Sequence, residues 1–491
     1  MFNLRGDQRT IGEQSRKEGG KIFGSGSRTP ISITLLVKKA GHIGKDEIFY
    51  RDIGDYLDQK QKLEILANSR SFLNNQMELV KLVPNEYGDW ITTRNDMFGE
   101  FVPLASEKKF DEGTESVFTI NFLGFETTRD SWVYNYSENL AKENIASMIS
   151  VYNDYNQIDD ATKIAWSRGL KRNKEKNKIL EFQNNKTTTV QYRPFQKMKL
   201  YFGEDLIEYR YSNHSFFGDM LDVKNPVILV DSVSSSKDFS CFISNIITDR
   251  GFCGGGQSFP LYYYEKQKPT KQITLDQPTE PTFDYTRKDG ISNHALKTAR
   301  TKYGTAVTKE DIFYYVYGFL HTPSYRTTFA DDLKKSLPRI MWVDNTDDFW
   351  VFSKAGRDLA ELHLKYEDVQ PLDEVIVEGD NKDEKRYIVQ KMKFSDKQTK
   401  DTIIYNDFIK ITNIPSKAYE YVVNGRSAIE WIIDRYQVKT DKASGITNDP
   451  NMYAKENNKP RYILDLLLSV IAVSVHTVDI VNSLPILSFE K

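Results

Sequence analysis

The chain has 491 residues and a mass of 56.9 kDa, too long for one ordinary hydrophobic core, which predicts two or three domains. Hydrophobic residues make up 39%, charged residues 28% and aromatic residues 13%, a balance that excludes extensive disorder. A net charge of -2 and a pI near 6.4 exclude a global basic field, so any contact with nucleic acid must come from local Lys and Arg patches.

The two cysteines, Cys241 and Cys253, are too few for a disulfide scaffold and lack zinc-binding spacing. They point to the reducing cytoplasm. Met1 to Thr10 contains no apolar signal-peptide core. The longest apolar run, 13 uncharged residues between Asp465 and Asp479, is short of the roughly 20 that a bilayer requires. It is expected to be a buried helix, with no membrane as partner.

In chain order, Met1 to Pro30 is rich in Gly, Arg, Ser and Lys and reads as a flexible cationic loop. The β-branched run Ile31 to Val37 predicts a strand that pairs with Ile48 to Ile53 across the turn containing Gly41 and Gly44. Two strands alone are marginal in water, so this resembles the edge of a larger sheet. Tyr56 to Asn75 and Glu138 to Tyr155 carry helical periodicity, and Arg168 to Lys178 is a basic helix or linker. Strand-like runs follow at Thr188 to Tyr192, Lys199 to Phe202, Pro226 to Ser232, Phe239 to Ile247 and Phe259 to Tyr264. Lys266 to Gly290, with three prolines, reads as a linker. Beyond it Thr308 to Asp311 starts a helix with an aromatic and aliphatic face. Strands are expected near Glu384 to Lys393 and Thr402 to Ile411. Helices are expected at Ser416 to Asn424, Ser427 to Tyr436 and Tyr462 to Asn482. No internal repeat is present. The fold class is therefore mixed α/β (α+β).

Several motifs invite chemistry. The Gly24 to Ser27 stretch precedes a strand, whereas a nucleotide-binding loop follows one and opens a helix. With Lys21 and Arg28 it reads either as a mobile loop touching nucleic-acid phosphate or as ordinary surface. Cys253 has no histidine nearby, the six histidines are scattered, and Asp96, Glu107 and Lys109 lack the strand placement a nuclease site needs. No catalytic residue and no metal ligand set is assigned. Between Tyr192 and Tyr211, Arg193, Lys197, Lys199 and Arg210 interleave with aromatics. They form either a surface that neutralises phosphates and reads base edges, or a sheet with core aromatics and solvated charges. Arg426, Lys439 and Lys442, around Asn424-Gly425-Arg426-Ser427, are either phosphate contacts or parts of a helix cap and exposed turn.

A run of strings resembles, in collinear order, the C-terminal part of Type ISP single-polypeptide restriction–modification enzymes. These include Leu4-Arg5-Gly6-Asp7-Gln8-Arg9-Thr10, Glu18 to Arg28, Thr128 to Asn135, Tyr192-Arg193-Pro194-Phe195 and Asp311 to Gly318. Leu337-Pro338-Arg339-Ile340, Tyr421 to Ser427 with Trp431, Asp434 to Lys442 and Val481 to Pro485 continue the series. The resemblance implies a remnant of a Rossmann-like adenine methyltransferase sheet at 1–58, a helical coupler at 59–184, a β-rich target-recognition region at 185–265, a linker at 266–290 and a C-terminal α/β specificity region at 291–491. It also implies double-stranded DNA as partner, and the residues point to Lys21, Arg28, Arg193, Lys197, Lys199, Arg210, Arg426, Lys439 and Lys442 as the cations that grip it, with Arg193, Lys197, Arg426 and Lys439 first among them. The family's Asn-Pro-Pro-Tyr motif and glycine-rich S-adenosylmethionine loop do not occur in this sequence. The cofactor is therefore expected in the complete enzyme and not in this chain. Three roles are implied: target recognition by a truncated or split C-terminal portion; a subunit completing an active enzyme with an N-terminal methyltransferase, helicase and nuclease polypeptide; or a degenerate remnant.

Overall fold

The computed structural model describes residues 1–489 apart from 11, 25–26, 39, 42, 44–45, 72–76, 106–114, 155–163, 211–212, 219–220, 222, 234–236, 253 and 267–284. The readings placed on Cys253, Glu107, Lys109, the centre of the Gly24 to Ser27 stretch and most of the Pro-bearing linker lie outside the described residues.

At the N-terminal end, the expected hairpin is replaced by a four-stranded sheet. Phe2–Asn3 sits between Ser32–Ile33, antiparallel, and Ile48–Asp52, parallel, with Val80–Leu82 outside the latter. Only two residues of the Ile31 to Val37 run are strand. Leu36 and Val37 are 86% and 84% exposed, because β propensity expresses itself only where a neighbouring strand or surface receives the side chains. The core beneath is small: Phe2, Leu4, Ile22, Ile53 and Met77.

Gly19 and Gly20 serve close packing as well as turn formation. A Cβ on either would overlap the backbone of Leu57 or of Asp58 and Gln59. Gly20 donates its amide to Leu57 O, while the buried Lys62 donates Nζ to the carbonyls of Glu18, at 2.6 Å, and Gly20, at 2.8 Å. Lys62 thus satisfies carbonyls left open at the end of helix Gly12–Glu18. The next helix, Gln59–Ser69, starts at a reciprocal cap between Asp58 and Gln61.

The β-rich stretch is present, and it recruits strands from earlier in the chain. Thr187–Arg193 and Gln196–Tyr201 form a hairpin to which Tyr134–Asn135 adds. A second sheet runs in the order Cys241–Ser244, Val227–Val230, Gln257–Pro260, Phe122–Leu123. Strand Val227–Val230 is buried on both faces. Val227 and Leu229 enter one large core with the aromatics of 120–263 and the apolar residues of 366–478. Ile228 and Val230 enter another with the residues of 291–364. Period-two alternation therefore distributes one strand between two cores. The two flanks of the Pro-bearing stretch, Tyr262–Lys266 and Tyr285–Asp289, zip together as an antiparallel pair.

Farther on, Thr308 and Asp311 cap helix Lys309–Phe319 reciprocally, and this helix packs on Thr346–Leu364. The two backbones meet at Gly318 and Gly356, where a Cβ on either would overlap the other helix. The strand expected at Glu384 to Lys393 is instead a single 3-10 turn, Glu384–Tyr387, followed by the short strand Lys393–Phe394. Thr402 to Ile411 folds back on itself, Ile403 opposite Ile411, because Asn406 turns the chain by accepting the amides of Phe408 and Ile409. The helix expected at Ser416 to Asn424 stops at Tyr419. Asn424 and Gly425 take positive φ, 51° and 79°, and join Val422–Val423 to Arg426–Ser427, the geometry of a two-residue Asn-Gly hairpin.

Helix Tyr462–Asn482 is long and apolar enough to span a bilayer by length and composition, yet 78% of its most apolar window is buried. It is a core helix, packed against Thr346–Leu364 and Ala428–Arg435. The architecture is mixed α/β with several small sheets.

Candidate nucleic-acid interface

A cleft of about 1120 Å³ opens between the N-terminal segment and the remainder of the chain. Gln14 and Arg16 of helix Gly12–Glu18 form one lip. Facing it are Lys237, Arg326 and Lys334, then Lys397 and Lys400, then Arg426, with the end of the terminal helix at Asn482. Seven cations thus line a space that holds three carboxylates, those of Asp238, Glu420 and Glu430. Concave, low-dielectric walls concentrate such a field beyond what the near-neutral chain would produce.

Most of these cations are fixed by neighbours. Arg326 donates Nε to Leu320 O at 2.6 Å and Nη2 to Cys241 Sγ at 3.4 Å, and lies over the Phe239 ring. Lys400 pairs with Glu430 at 2.9 Å between the rings of Phe394 and Tyr419. Arg426, on the far strand of the Asn-Gly hairpin, pairs with Asp434 at 2.9 Å and covers Trp431. Lys237 donates to Asn424 Oδ1 at 2.8 Å. Lys334 and Lys397 have no side-chain partner among the described residues, and Lys397 is exposed. Their charge is available to a ligand.

Beneath the cleft lies a buried polar chain. Tyr317 OH and His363 Nδ1 are 2.6 Å apart, His363 Nε2 and Thr477 Oγ1 2.9 Å, and His321 Nδ1 and the Tyr317 carbonyl 2.8 Å. Burial, reinforced by the Arg326 guanidinium, pushes His363 down to about 3 and His321 well below the usual imidazole range. Both are neutral at physiological pH. Cys241 lies 3.6 Å from His321, but burial pushes its thiol up to about 11, so it stays protonated and unreactive. Burial also raises Asp231 to about 6. Its Oδ2 accepts the amide and hydroxyl of Ser240, a residue of the cleft wall. Among the described residues no cluster has metal-ligand composition.

The cations singled out from sequence are dispersed by the fold. Arg426 lines the cleft, whereas Lys21, Arg28, Arg193, Lys197, Lys199, Arg210, Lys439 and Lys442 do not. Arg193 is turned inward: it pairs with Asp249 at 2.6 Å and stacks 3.8 Å from the Tyr192 ring centre. Lys197 pairs with Glu367, Lys199 with Glu138, Arg210 with Glu204 and Lys439 with Asp434. Arg28 donates to Gln8 O. Lys237, Arg326, Lys334, Lys397 and Lys400 were missed: Lys334 adjoins Lys335, and Lys397 and Lys400 follow Lys391 and Lys393, but such short basic runs are ordinary on a solvated surface and only the fold brings them to one cleft.

Two hydrophobic cores share the sheet that carries Val227–Val230, and a cleft lined by seven cations and three carboxylates opens at the surface. The chain belongs to the Type ISP C-terminal specificity domain family, whose model matches residues 116–466. Among solved structures, it is similar to a nuclease-deletion mutant of the Type ISP restriction–modification enzyme LlaGI in complex with a DNA substrate mimic. That match has 41% identity and a TM-score of 0.83 over 99% of this chain and 36% of that one. The ATP-dependent Type ISP enzyme LlaBIII bound to DNA matches at 36% identity and a TM-score of 0.86, over 100% of this chain and 31% of that one. The DrdV–DNA complex matches at 26% identity and 0.83, over 99% and 47%. This chain therefore spans about a third to a half of the length of these structures. None of the curated proteins matches it.

Proposed function

We propose that this chain selects the DNA target of a Type ISP restriction–modification enzyme, with duplex DNA seated in the cationic cleft. The observation that carries the reading is the excess of cations over carboxylates in a concave surface shared by the N-terminal segment and the specificity region. Phosphates on Lys334 and Lys397 would set the register, while fixed side chains such as Arg326 and Arg426 would be presented to base edges without further ordering.

Methylation, translocation and cleavage belong in this proposal to an N-terminal polypeptide. The open edge of Ser32–Ile33 and the exposed Leu36 and Val37 beside it favour such a neighbour, because unpaired edges and apolar patches attract strands and surfaces. S-Adenosylmethionine carries a sulfonium cation. A cleft in which seven Lys and Arg side chains outnumber three carboxylates disfavours that charge, so the cofactor is assigned to the other polypeptide. The proposed domain divisions fall at 58, 184, 265 and 290, and the proposed location is the cytoplasm.

Selecting bound fragments from a randomised duplex library over a range of salt tests this reading. Bound fragments should share one sequence. K334Q/K397Q should lower affinity on all duplexes and flatten the dependence of log K on log salt by about 1.8, near 0.9 per lost phosphate contact. Fragments without a common site, or an unchanged slope in the variant, would refute it.

A further inference from the structure

The basic segment Arg168 to Lys178 lies outside the cleft, and its cations differ in their surroundings. Lys174 donates Nζ to the carbonyls of Tyr152, at 2.8 Å, and Asn153, at 3.2 Å, closing the end of helix Glu138–Asp154. Lys178 pairs with Asp205 at 2.6 Å. Those two hold the fold together. Arg168, Arg172 and Lys176 are exposed and have no side-chain partner among the described residues. Their spacing of i, i+4 and i+8 places them in one row on helix Arg168–Glu175 and its C-terminal cap.

This row is expensive for the helix that carries it. Like charges four residues apart repel, and Arg168 occupies the first helical position, where the macrodipole disfavours a cation and the first turn has no acidic residue of its own. The helix is nevertheless rigidly seated. Ser167 caps it by accepting the Leu170 amide, Glu208 accepts both the Ser167 hydroxyl at 2.6 Å and the Gly169 amide at 2.9 Å, and Leu170 is fully buried. A rule of local stability broken on a well-anchored surface marks a place selected for something other than stability.

One end of the row also lies near a turn that reaches the cleft. Arg168 borders a second cavity whose wall includes Glu126. Glu126 pairs with Arg250 at 2.8 Å, and the same turn offers Phe252 O to Asn424 Nδ2, the residue that holds Lys237 in the cleft. One turn thus spans both surfaces.

We infer that Arg168, Arg172 and Lys176 form a second phosphate-binding row that holds the DNA flanking the recognised site. This rests on the proposed function above. Eight residues of helix extend about 12 Å, and a strand of duplex presents a phosphate every 3.4 Å or so along its axis, so three cations can engage one strand over a third of a turn. Such contacts carry no sequence information and act through the salt-dependent part of the affinity.

The full chain and its R168Q/R172Q/K176Q variant should be compared on a duplex trimmed to the selected site and on the same duplex extended by about two helical turns, roughly 21 base pairs, on each side. On the extended duplex the variant should lose about 2.7 from the slope of log K against log salt, and R172Q alone about 0.9. The trimmed duplex and the selected sequence should not change. An unchanged slope on the extended duplex overturns the inference, and an equal loss on the trimmed duplex overturns the assignment to flanking DNA. If the parent chain selects no common sequence while the variant still loses slope, target recognition fails and the row stands. Because Gln removes a cation from a helix N-terminus, the variant should melt no lower than the parent, which separates loss of contact from loss of fold.

Discussion

Replacing Arg193 by Met separates a DNA contact from a structural ion pair at one of the cations that the sequence offers as a DNA ligand. Arg193 Nη1 lies 2.6 Å from Asp249 Oδ1 and donates to the Tyr192 carbonyl. The carboxylate also accepts Tyr134 OH and the Gly251 amide, each at 2.7 Å. Met retains the apolar stem but leaves Asp249, whose side chain is 7% exposed, with neutral donors only. Removing one partner of a buried pair costs about 3 to 5 kcal/mol. Because the attraction to Arg193 is shared with Tyr134 and Gly251 donors that remain, the lower end, about 3 kcal/mol, is expected. The pH dependence has a definite sign. Burial already raises Asp249 while Arg193 opposes the rise, so in the variant its folded pKa moves further above the unfolded value. A raised carboxyl favours the folded state when protonated, so the deficit of R193M should be largest at neutral pH and shrink as pH falls through the carboxylate range. R193M/D249N, which removes both charges, should recover most of the loss. Thermal unfolding at pH 7 and pH 5, alongside DNA binding by anisotropy, reads all three quantities. A variant that melts like the parent at both pH values while its salt slope falls by about 0.9 would make Arg193 a phosphate ligand and refute this account.

Two further outcomes follow from the packing and the buried histidines. G356A introduces a methyl group into the backbone of Tyr314, where neither helix can yield without disturbing the aromatic core. The thermal midpoint should drop steeply, by several kcal/mol of stability, and a midpoint within a degree of the parent would show that the helices separate easily. His363, held down to about 3, and His321, also lowered, are neutral in the folded chain and take up protons when it unfolds. Their contribution is therefore complete above the unfolded value of about 6.5 and is lost as pH falls from there toward 3, at up to about 1.4 kcal/mol per pH unit for each. H363Q should flatten the fall of melting temperature between pH 6.5 and 4.5, and an identical profile in parent and variant would contradict the burial of a neutral ring.

Much of the local structure was legible because its causes are local. The reciprocal caps at Thr308 with Asp311 and Ser427 with Glu430 need only residues three apart. The run from Leu466 to Val478 announces burial by composition, and the collinear strings announce the family before any coordinate. Other elements depended on neighbours remote in sequence. Ile31 to Val37 has the composition of a strand, yet only two of its residues pair, because its neighbour is Phe2–Asn3 and among the described residues nothing receives Leu36 and Val37. The Asn424-Gly425 hairpin was available as a short-range signal, but the surrounding helical periodicity concealed it.

For the interface the division is sharper. By itself, the sequence determined that cations stand beside aromatics near Tyr192, and that any grip on a polyanion must be local in a chain of net charge -2. Only the tertiary structure decided which charges remain available. Lys197 is neutralised by Glu367, 170 residues away, whereas Lys334 and Lys397, which have no side-chain partner among the described residues, converge on one cleft. A cation's usefulness to a ligand is set by what else lies within a few ångströms of it, and those neighbours are supplied by the fold.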